Sequence, residues 1–263
     1  MIDRSRLDAI CEEAGRIAMD LWPGGGHDVE SWQKDEGSPV CDADIEVDGF
    51  LRRELGKLLP AAGWLSEETA DDLDRLKRDL IWLVDPVDGT RDFLRGRKGW
   101  CVSVALINAG RPLVGILNAP AREEVWTAEA GQGAFLNGRR LCASGCRQFL
   151  GARVPANSLQ KVDQFLTMVD QPNSIALRVA MVADDQADLL AALRWSNEWD
   201  IGAAALIARE AGARVTDALG KPFAYNKRDP RAFGLLVTAP DIHDDAVAHL
   251  ADRADAIIAK GVA

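Results

Sequence analysis

The residues with the clearest chemical potential lie in Trp82-Leu83-Val84-Asp85-Pro86-Val87-Asp88-Gly89-Thr90. Asp85 and Asp88 are three apart in a stretch that also holds proline and glycine, so a turn there can bring two carboxylates to one point. Pro86 fixes φ and removes a donor, and Gly89 lets the backbone approach a ligand closely. Hard cations such as Mg²⁺ take oxygen ligands, commonly one or two carboxylates plus phosphate oxygens. If Gly89 and Thr90 open a helix, their N–H groups suit a phosphate. The competing reading is a turn whose aspartates bond only to backbone N–H groups.

Three more acidic elements stand apart from it. Leu65-Ser66-Glu67-Glu68-Thr69 places two carboxylates after an apolar residue. Asn197-Glu198-Trp199-Asp200-Ile201-Gly202-Ala203-Ala204 puts Asp200 at the head of an Ala-rich run. Ser38-Pro39-Val40-Cys41-Asp42-Ala43-Asp44 offers another aspartate at a helix start. Taken singly, each is better explained as a solvated helix start or an N-cap.

The elements that must position these groups follow from periodicity. Leu7, Ile10, Cys11, Ala14, Ile17, Ala18 and Leu21 recur at helical spacing and predict a helix over 3–21, stopped by Pro23-Gly24-Gly25-Gly26. A second helix is predicted from Ala43 to Leu59, ahead of Pro60, with a polar turn at Lys34–Pro39 between the two. Leu80–Val84 is a short apolar run typical of a buried strand. Cys101–Ile107, Leu113–Asn118, Glu124–Ala128 and Gly133–Leu136 follow as strands, with turns at Asn108–Pro112, Gly131 and Asn137-Gly138. Further on, Ala152–Val154 reads as a strand and Ser158–Val169 as a helix. Ser174–Val182 is apolar and ambiguous. Trp199–Ala211 and Ile242–Ala259 read as helices, and Arg214–Thr216 and Leu235–Thr238 as strands. This mix of α and β, with a change near residue 145, suggests two subdomains, 1–145 and 146–263.

The chain has 263 residues, 48% hydrophobic and 27% charged, enough for a sizeable core. A net charge of −10 argues against general affinity for nucleic-acid backbones or anionic membranes. No signal peptide or membrane-spanning run is visible. The five scattered cysteines point to reduced thiols in a cytoplasmic protein. Cys142 and Cys146 lack the second pair that a zinc site needs. His27, His243 and His249 all lie outside the acidic motifs.

Order and spacing separate these elements from coincidence. A Pro-Val-x-x-Ala-Asp segment, then Glu67-Glu68, then Asp85 and Asp88, then Trp199-Asp200, resembles the inositol monophosphatase family from about Lys34 to Ala239. WLVDPVDGT is its most specific part. The resemblance implies a five-layer α/β/α/β/α sandwich of the inositol monophosphatase and fructose-1,6-bisphosphatase type, commonly a homodimer. It implies Mg²⁺-dependent hydrolysis of a small phosphorylated metabolite with two or three ions, usually inhibited by lithium. Carried over by motif, Glu67, Asp85 and the Val87 carbonyl hold the first metal. Asp85, Asp88 and Asp200 hold the second. Gly89 and Thr90 bind phosphate through the backbone. Asp44 bonds to the Thr90 hydroxyl, and the pair orients or deprotonates the attacking water. Glu68 assists a water-bound third metal, and Lys34 matches a lysine of a loop near the site. Haloacid-dehalogenase-like phosphatases space their Asp-x-Asp two apart, with the first as nucleophile; here the aspartates are three apart around Pro86.

Three features resemble the bacterial 3′(2′),5′-bisphosphate nucleotidase branch: Arg91-Asp92-Phe93 after Thr90, Asn197-Glu198-Trp199-Asp200, and Gly99–Leu106 without His-x-x-Pro. Inositol enzymes carry a glutamate shortly before the last aspartate, and positions 189–197 hold no carboxylate. Asn173-Ser174 in place of Gly-Ser, Cys41 in place of threonine, and a short 151–172 region depart from the nucleotidase pattern. The alternatives are inositol-1-monophosphatase and histidinol-phosphate phosphatase. From other classes come a catalytically silent phosphate-binding relative and a nucleic-acid binder; the intact acidic positions oppose the first, and the charge opposes the second.

Overall fold

The structure is a computed structural model that describes residues 2–26, 30–33 and 39–260. Lys34 lies outside the described residues, as does the polar turn expected over Lys34–Pro39 except for Pro39. Helix α1 (Arg4–Asp20) starts at Asp3, whose side chain accepts from Arg6 N. Strands β1 (Ser31–Gln33) and β2 (Pro39–Cys41) pair antiparallel and lead into α2 (Asp42–Leu58). Leu7, Ala14 and Ala18 of α1 and Val47, Leu51 and Leu55 of α2 form the stripes that pack on the large sheet.

That sheet has seven strands: β3 (Gly63–Ser66), β4 (Leu80–Asp88), β5 (Cys101–Asn108), β6 (Arg111–Ala119), β7 (Glu124–Glu129), β8 (Gly133–Leu136) and β9 (Arg139–Arg140). They lie in sequence order, with β3 and β4 parallel and every later pair antiparallel. A short helix, α3 (Thr90–Leu94), follows β4. Trp82 and Val84 face α1 and α2, whereas Ile81 and Leu83 face the opposite core. Burial on both faces explains why β4 reads as a continuous apolar run rather than an alternation.

Beyond a small parallel pair, β10 (Arg153–Pro155) with β11 (Thr167–Val169), come α4 (Ile175–Ala183), β12 (Leu189–Asn197), α5 (Glu198–Glu210), β13 (Arg214–Thr216), β14 (Arg231–Thr238) and α6 (His243–Ala259). Helices α4 and α5 cover the second face of the large sheet. Helix α5 approaches closely because its contact residues are small: a Cβ on Gly115 would stand 2.7 Å from the Ala203 carbonyl oxygen. The other side of the helical pair meets an antiparallel sheet of order β12-β14-β13. Outermost, Ala246 and Leu250 of α6 pack on Leu236. The result is a five-layer α/β/α/β/α sandwich. No helix among the described residues is long and apolar enough to cross a membrane.

One expectation fails here, and one element was not expected. Residues 158–169 are not a helix: they form a 3₁₀ turn at Lys161–Asp163 and then β11. Leu159 and Leu166 pack under the Ala152–Val154 strand, while Val162 and Met168 are exposed, so no single helical face is buried. Strand β12 carries no sequence expectation at all. It pairs with β14 on both sides of an irregularity, and Leu190 and Ala192 meet one core while Leu189, Ala191 and Leu193 meet the other, so the alternation that marks a half-buried strand is missing.

Candidate active site

Strand β4 delivers its carboxylates through an irregularity. Asp85 pairs with Ser103 and Asp88 with Cys101, so β4 advances three residues where β5 advances two. The extra residue is a bulge, a device that re-aims side chains at the edge of a site. Asp85 Oδ1 accepts the Val87 N–H at 3.1 Å. Gly89 has φ +97°, and a Cβ there would meet the Gly99 carbonyl oxygen at 2.6 Å and Ser174 N at 2.9 Å. Only glycine satisfies both the turn and the packing. The chain then enters α3, whose first internal bonds run from Asp92 N and Phe93 N to Gly89 O. The Thr90 and Arg91 N–H groups therefore lie in a first turn with no intrahelical acceptor.

Asp88 is held by the start of α4. Its carboxylate accepts Ser174 Oγ at 2.5 Å, Ala176 N at 2.7 Å and Ile175 N at 3.3 Å. Ser174 also caps α4 through Leu177 N at 2.9 Å. Ser174 has no role among the sequence expectations, although Asn-Ser ahead of an apolar run is an N-cap signal. Asp200 sits at the third position of α5, and its Oδ2 accepts Asn197 N at 2.9 Å.

Carboxylate oxygens of Glu67, Asp85 and Asp200 all lie within 4.8 Å of one another. With Val87, Asp88, Gly89 and Thr90 they line one cavity of about 390 Å³, which Arg91, Asn173, Arg178, Arg194, Trp195 and Asn197 complete. Burial holds the Asp85 carboxyl well above its ordinary value, and the negative charges of Glu67, Asp88 and Asp200 raise it further. Burial pushes Asp200 up to about 8, with Asp88 and Glu67 adding to it. Burial also raises Asp88, against the three bonds from Ser174, Ala176 and Ile175. Carboxylates crowded in this way resist ionisation unless a cation joins them. An all-oxygen donor set of this kind fits a hard divalent ion.

Asp44 and Glu68, the remaining acidic candidates, stand behind the carboxylates that line the cavity. Neither Asp44 nor Glu68 lines the cavity. Asp44 caps α2: its Oδ2 accepts Cys41 N at 2.9 Å and Cys41 Sγ at 3.0 Å. Its Oδ1 is buried and has no partner among the described residues. The Thr90 hydroxyl donates to the Val87 carbonyl at 3.0 Å, so the expected Asp44–Thr90 bond is not formed. The hydroxyl turns to the nearest carbonyl of its own loop, three residues back. Burial raises Asp44 to about 7, with Glu68 and Glu67 adding to it and the Cys41 bonds opposing.

A buried polar chain ties the two halves of the carboxylate cluster together. Arg75, fully buried, binds Asp71 beyond the Glu67 loop, with Nη2 to Oδ2 at 2.6 Å. It also donates to Asn226 Oδ1 at 2.8 Å and to the Lys227 carbonyl at 2.9 Å. The N–H groups of Asn226 and Lys227 donate in turn to Glu198, at 2.6 and 3.1 Å. Glu198 is the first residue of α5, two before Asp200. No motif in the sequence announced this chain, because Arg75 and Asn226 are 151 positions apart.

Comparison with known proteins agrees with this geometry. The profile described as the inositol monophosphatase family matches residues 5–255. A histidinol-phosphatase of Mycobacterium tuberculosis is 31% identical over 86% of this chain and 90% of its own length. The 3′(2′),5′-bisphosphate nucleotidase CysQ of Escherichia coli is 31% identical over 85% of this chain and 95% of its own. A solved inositol monophosphatase structure from Thermotoga maritima superposes with a TM-score of 0.82 at 27% identity, over 96% of this chain and 99% of that one.

Proposed function

The chain belongs to the inositol monophosphatase family and is a metal-dependent hydrolase of phosphate monoesters, and on that premise we propose that it is a Mg²⁺-dependent 3′(2′),5′-bisphosphate nucleotidase. The reaction is hydrolysis of adenosine 3′,5′-bisphosphate to AMP and phosphate. In this reading Glu67, Asp85 and the Val87 carbonyl hold one ion, and Asp85, Asp88 and Asp200 hold a second. When bound, the ions neutralise the phosphate dianion, acidify the attacking water and stabilise the departing alkoxide.

The chain's own residues do the rest. The Gly89 and Thr90 N–H groups orient the reacting phosphate. Ser174 and the first N–H groups of α4 keep Asp88 from swinging away. The Thr90 hydroxyl, once released from the Val87 carbonyl, passes a proton from the attacking water to Asp44 Oδ1, a buried acceptor without a partner among the described residues. A carboxylate with its proton affinity raised to about 7 suits that task near neutral pH. Glu68 assists from beside Asp44, whose ionisation it opposes.

One observation carries the choice of substrate. Strand β12 lines the cavity with Arg194, Trp195 and Asn197 and contributes no carboxylate from 189 to 197, where ring hydroxyls of inositol would need one. Phosphate release from adenosine 3′,5′-bisphosphate, inositol 1-phosphate and histidinol phosphate, each with Mg²⁺ and with chelator, tests the reading. The expected result is the highest kcat/KM for the nucleotide and none with chelator. A higher kcat/KM for either of the other two would transfer the assignment to it.

A further inference from the structure

Arg178, Arg194 and Trp195 line the cavity but hold none of its carboxylates. Arg178 stands in the first turn of α4. Its Nε donates to the Pro172 carbonyl at 2.7 Å and its Nη2 to the Asn173 carbonyl at 3.1 Å. The guanidinium is thus fixed in orientation, with Nη1 left over. Arg194 reaches the cavity from β12 and is exposed. Among the described residues neither arginine forms an ion pair. Burial and the adjacent Arg194 cation pull Arg178 below the ordinary guanidinium value, against the charges of Asp88 and Asp92, so the two arginines feel each other's charge. Two cations that face the cavity and form no ion pair among the described residues offer a place for an anion, and the planar guanidinium matches phosphate oxygens in pairs.

Trp195 owes its position to a second bulge. Ala192 pairs with Leu235 and Trp195 with Phe233, so β12 advances three residues against two on β14. The Phe233 ring meets Trp195 edge-on at 5.7 Å, and the Arg231 guanidinium lies over the indole at 5.4 Å. Braced this way, Trp195 is still 36% exposed. A fixed, exposed aromatic face suits stacking on a planar base.

The reacting phosphate has its own partners: the ions held by four carboxylates and the N–H groups of Gly89 and Thr90. A substrate with one phosphate would leave the arginines idle. We propose that Arg178 and Arg194 bind a second, non-reacting phosphate of the substrate and that Trp195 stacks on its base, which makes the substrate class a nucleoside with two separate phosphates. The assignment deepens the nucleotidase reading and rests on it.

The test compares adenosine 3′,5′-bisphosphate with adenosine 3′-monophosphate, which shares the reacting ester and lacks the 5′ group. The wild-type chain, Arg194→Gln and Trp195→Leu are each assayed with Mg²⁺, and thermal unfolding confirms that each is folded. Arg194→Gln is expected to lower the ratio of kcat/KM between the two substrates about tenfold, mainly through KM, as fits the loss of one charged hydrogen bond. Trp195→Leu is expected to raise KM for both nucleotides alike. An unchanged ratio in Arg194→Gln overturns the second-phosphate site. Equal loss on both substrates overturns it too, since the arginine then serves the reacting phosphate. A binding measurement separates this outcome from failure of the nucleotidase reading. In chelator the carboxylate side repels anions, so calorimetry with AMP reports the arginine side alone. AMP binding that weakens about tenfold in Arg194→Gln supports the site even if turnover favours another ester. No AMP binding to the wild-type chain overturns it.

Discussion

Two β-bulges face one cavity, and they differ in everything but geometry. The bulge of β4 turns out two carboxylates, sits among proline and glycine, and is clamped from α4 by Ser174. The bulge of β12 turns out a cation and an indole, contains neither proline nor glycine, and is braced only by Phe233 and Arg231. The first builds a site for cations from buried acids that repel one another. The second offers exposed groups suited to an anion. The contrast sets the candidate metal site on the large sheet and, in the proposed reading, the choice of substrate on the small one.

Breaking the carboxylate side is expected to have the largest effect. Asp85→Asn removes the group nearest both expected ions, and kcat is expected to fall by about 10³-fold. The rise in Tm caused by Mg²⁺ should vanish with it. A variant that kept that rise would remove Asp85 from the metal site. Ser174→Ala tests the clamp on Asp88: a fall of about tenfold in kcat is expected, with about 1 kcal/mol of stability lost through the α4 cap. Unfolding in urea and steady-state assays read the two effects separately.

The acidic side also predicts a pH dependence. Burial and like charge raise Asp85, Asp88 and Asp200 above their unfolded values, with Asp200 at about 8 and Asp44 at about 7. The folded, metal-free chain therefore binds more protons than the unfolded chain between the ordinary carboxylate range and about 8. Its stability falls as pH rises through that interval. Mg²⁺ binds the ionised set, so the Tm gain it brings should be about twice as large at pH 8.5 as at pH 5.5. A gain that shrank with pH would show that these carboxylates do not bind the ion. The smallest expected effect is on the tie between the two halves. Glu198→Gln turns an amide toward the N–H groups of Asn226 and Lys227, and a fall of about threefold in kcat is expected with weaker Mg²⁺ binding. Unchanged Mg²⁺ affinity by calorimetry would show that Glu198 does not set the position of Asp200.

Much of the carboxylate side was legible because its signals are local. Pro86 and Gly89 punctuate a run of apolar residues, and Asp200 heads a helix that its own sequence predicts. The basic side was not legible, because β12 ahead of Arg194 is apolar on both faces and nothing near Arg194 marks a bend. Even the acidic motif gave only part of its geometry. The expected Asp44–Thr90 bond is absent, and the clamp on Asp88 comes from Ser174, 86 positions away.

Sequence alone determined the reaction class, through the family resemblance that the order and spacing of its acidic motifs carry, and order and spacing are properties of the chain. Tertiary structure decided which of those acids share a cavity, what holds them there, and which cations and rings stand beside them. The reason is physical: hydrogen bonds and charges act across a few ångströms of space, and the partners that matter here are brought together by the packing of two sheets on one pair of helices.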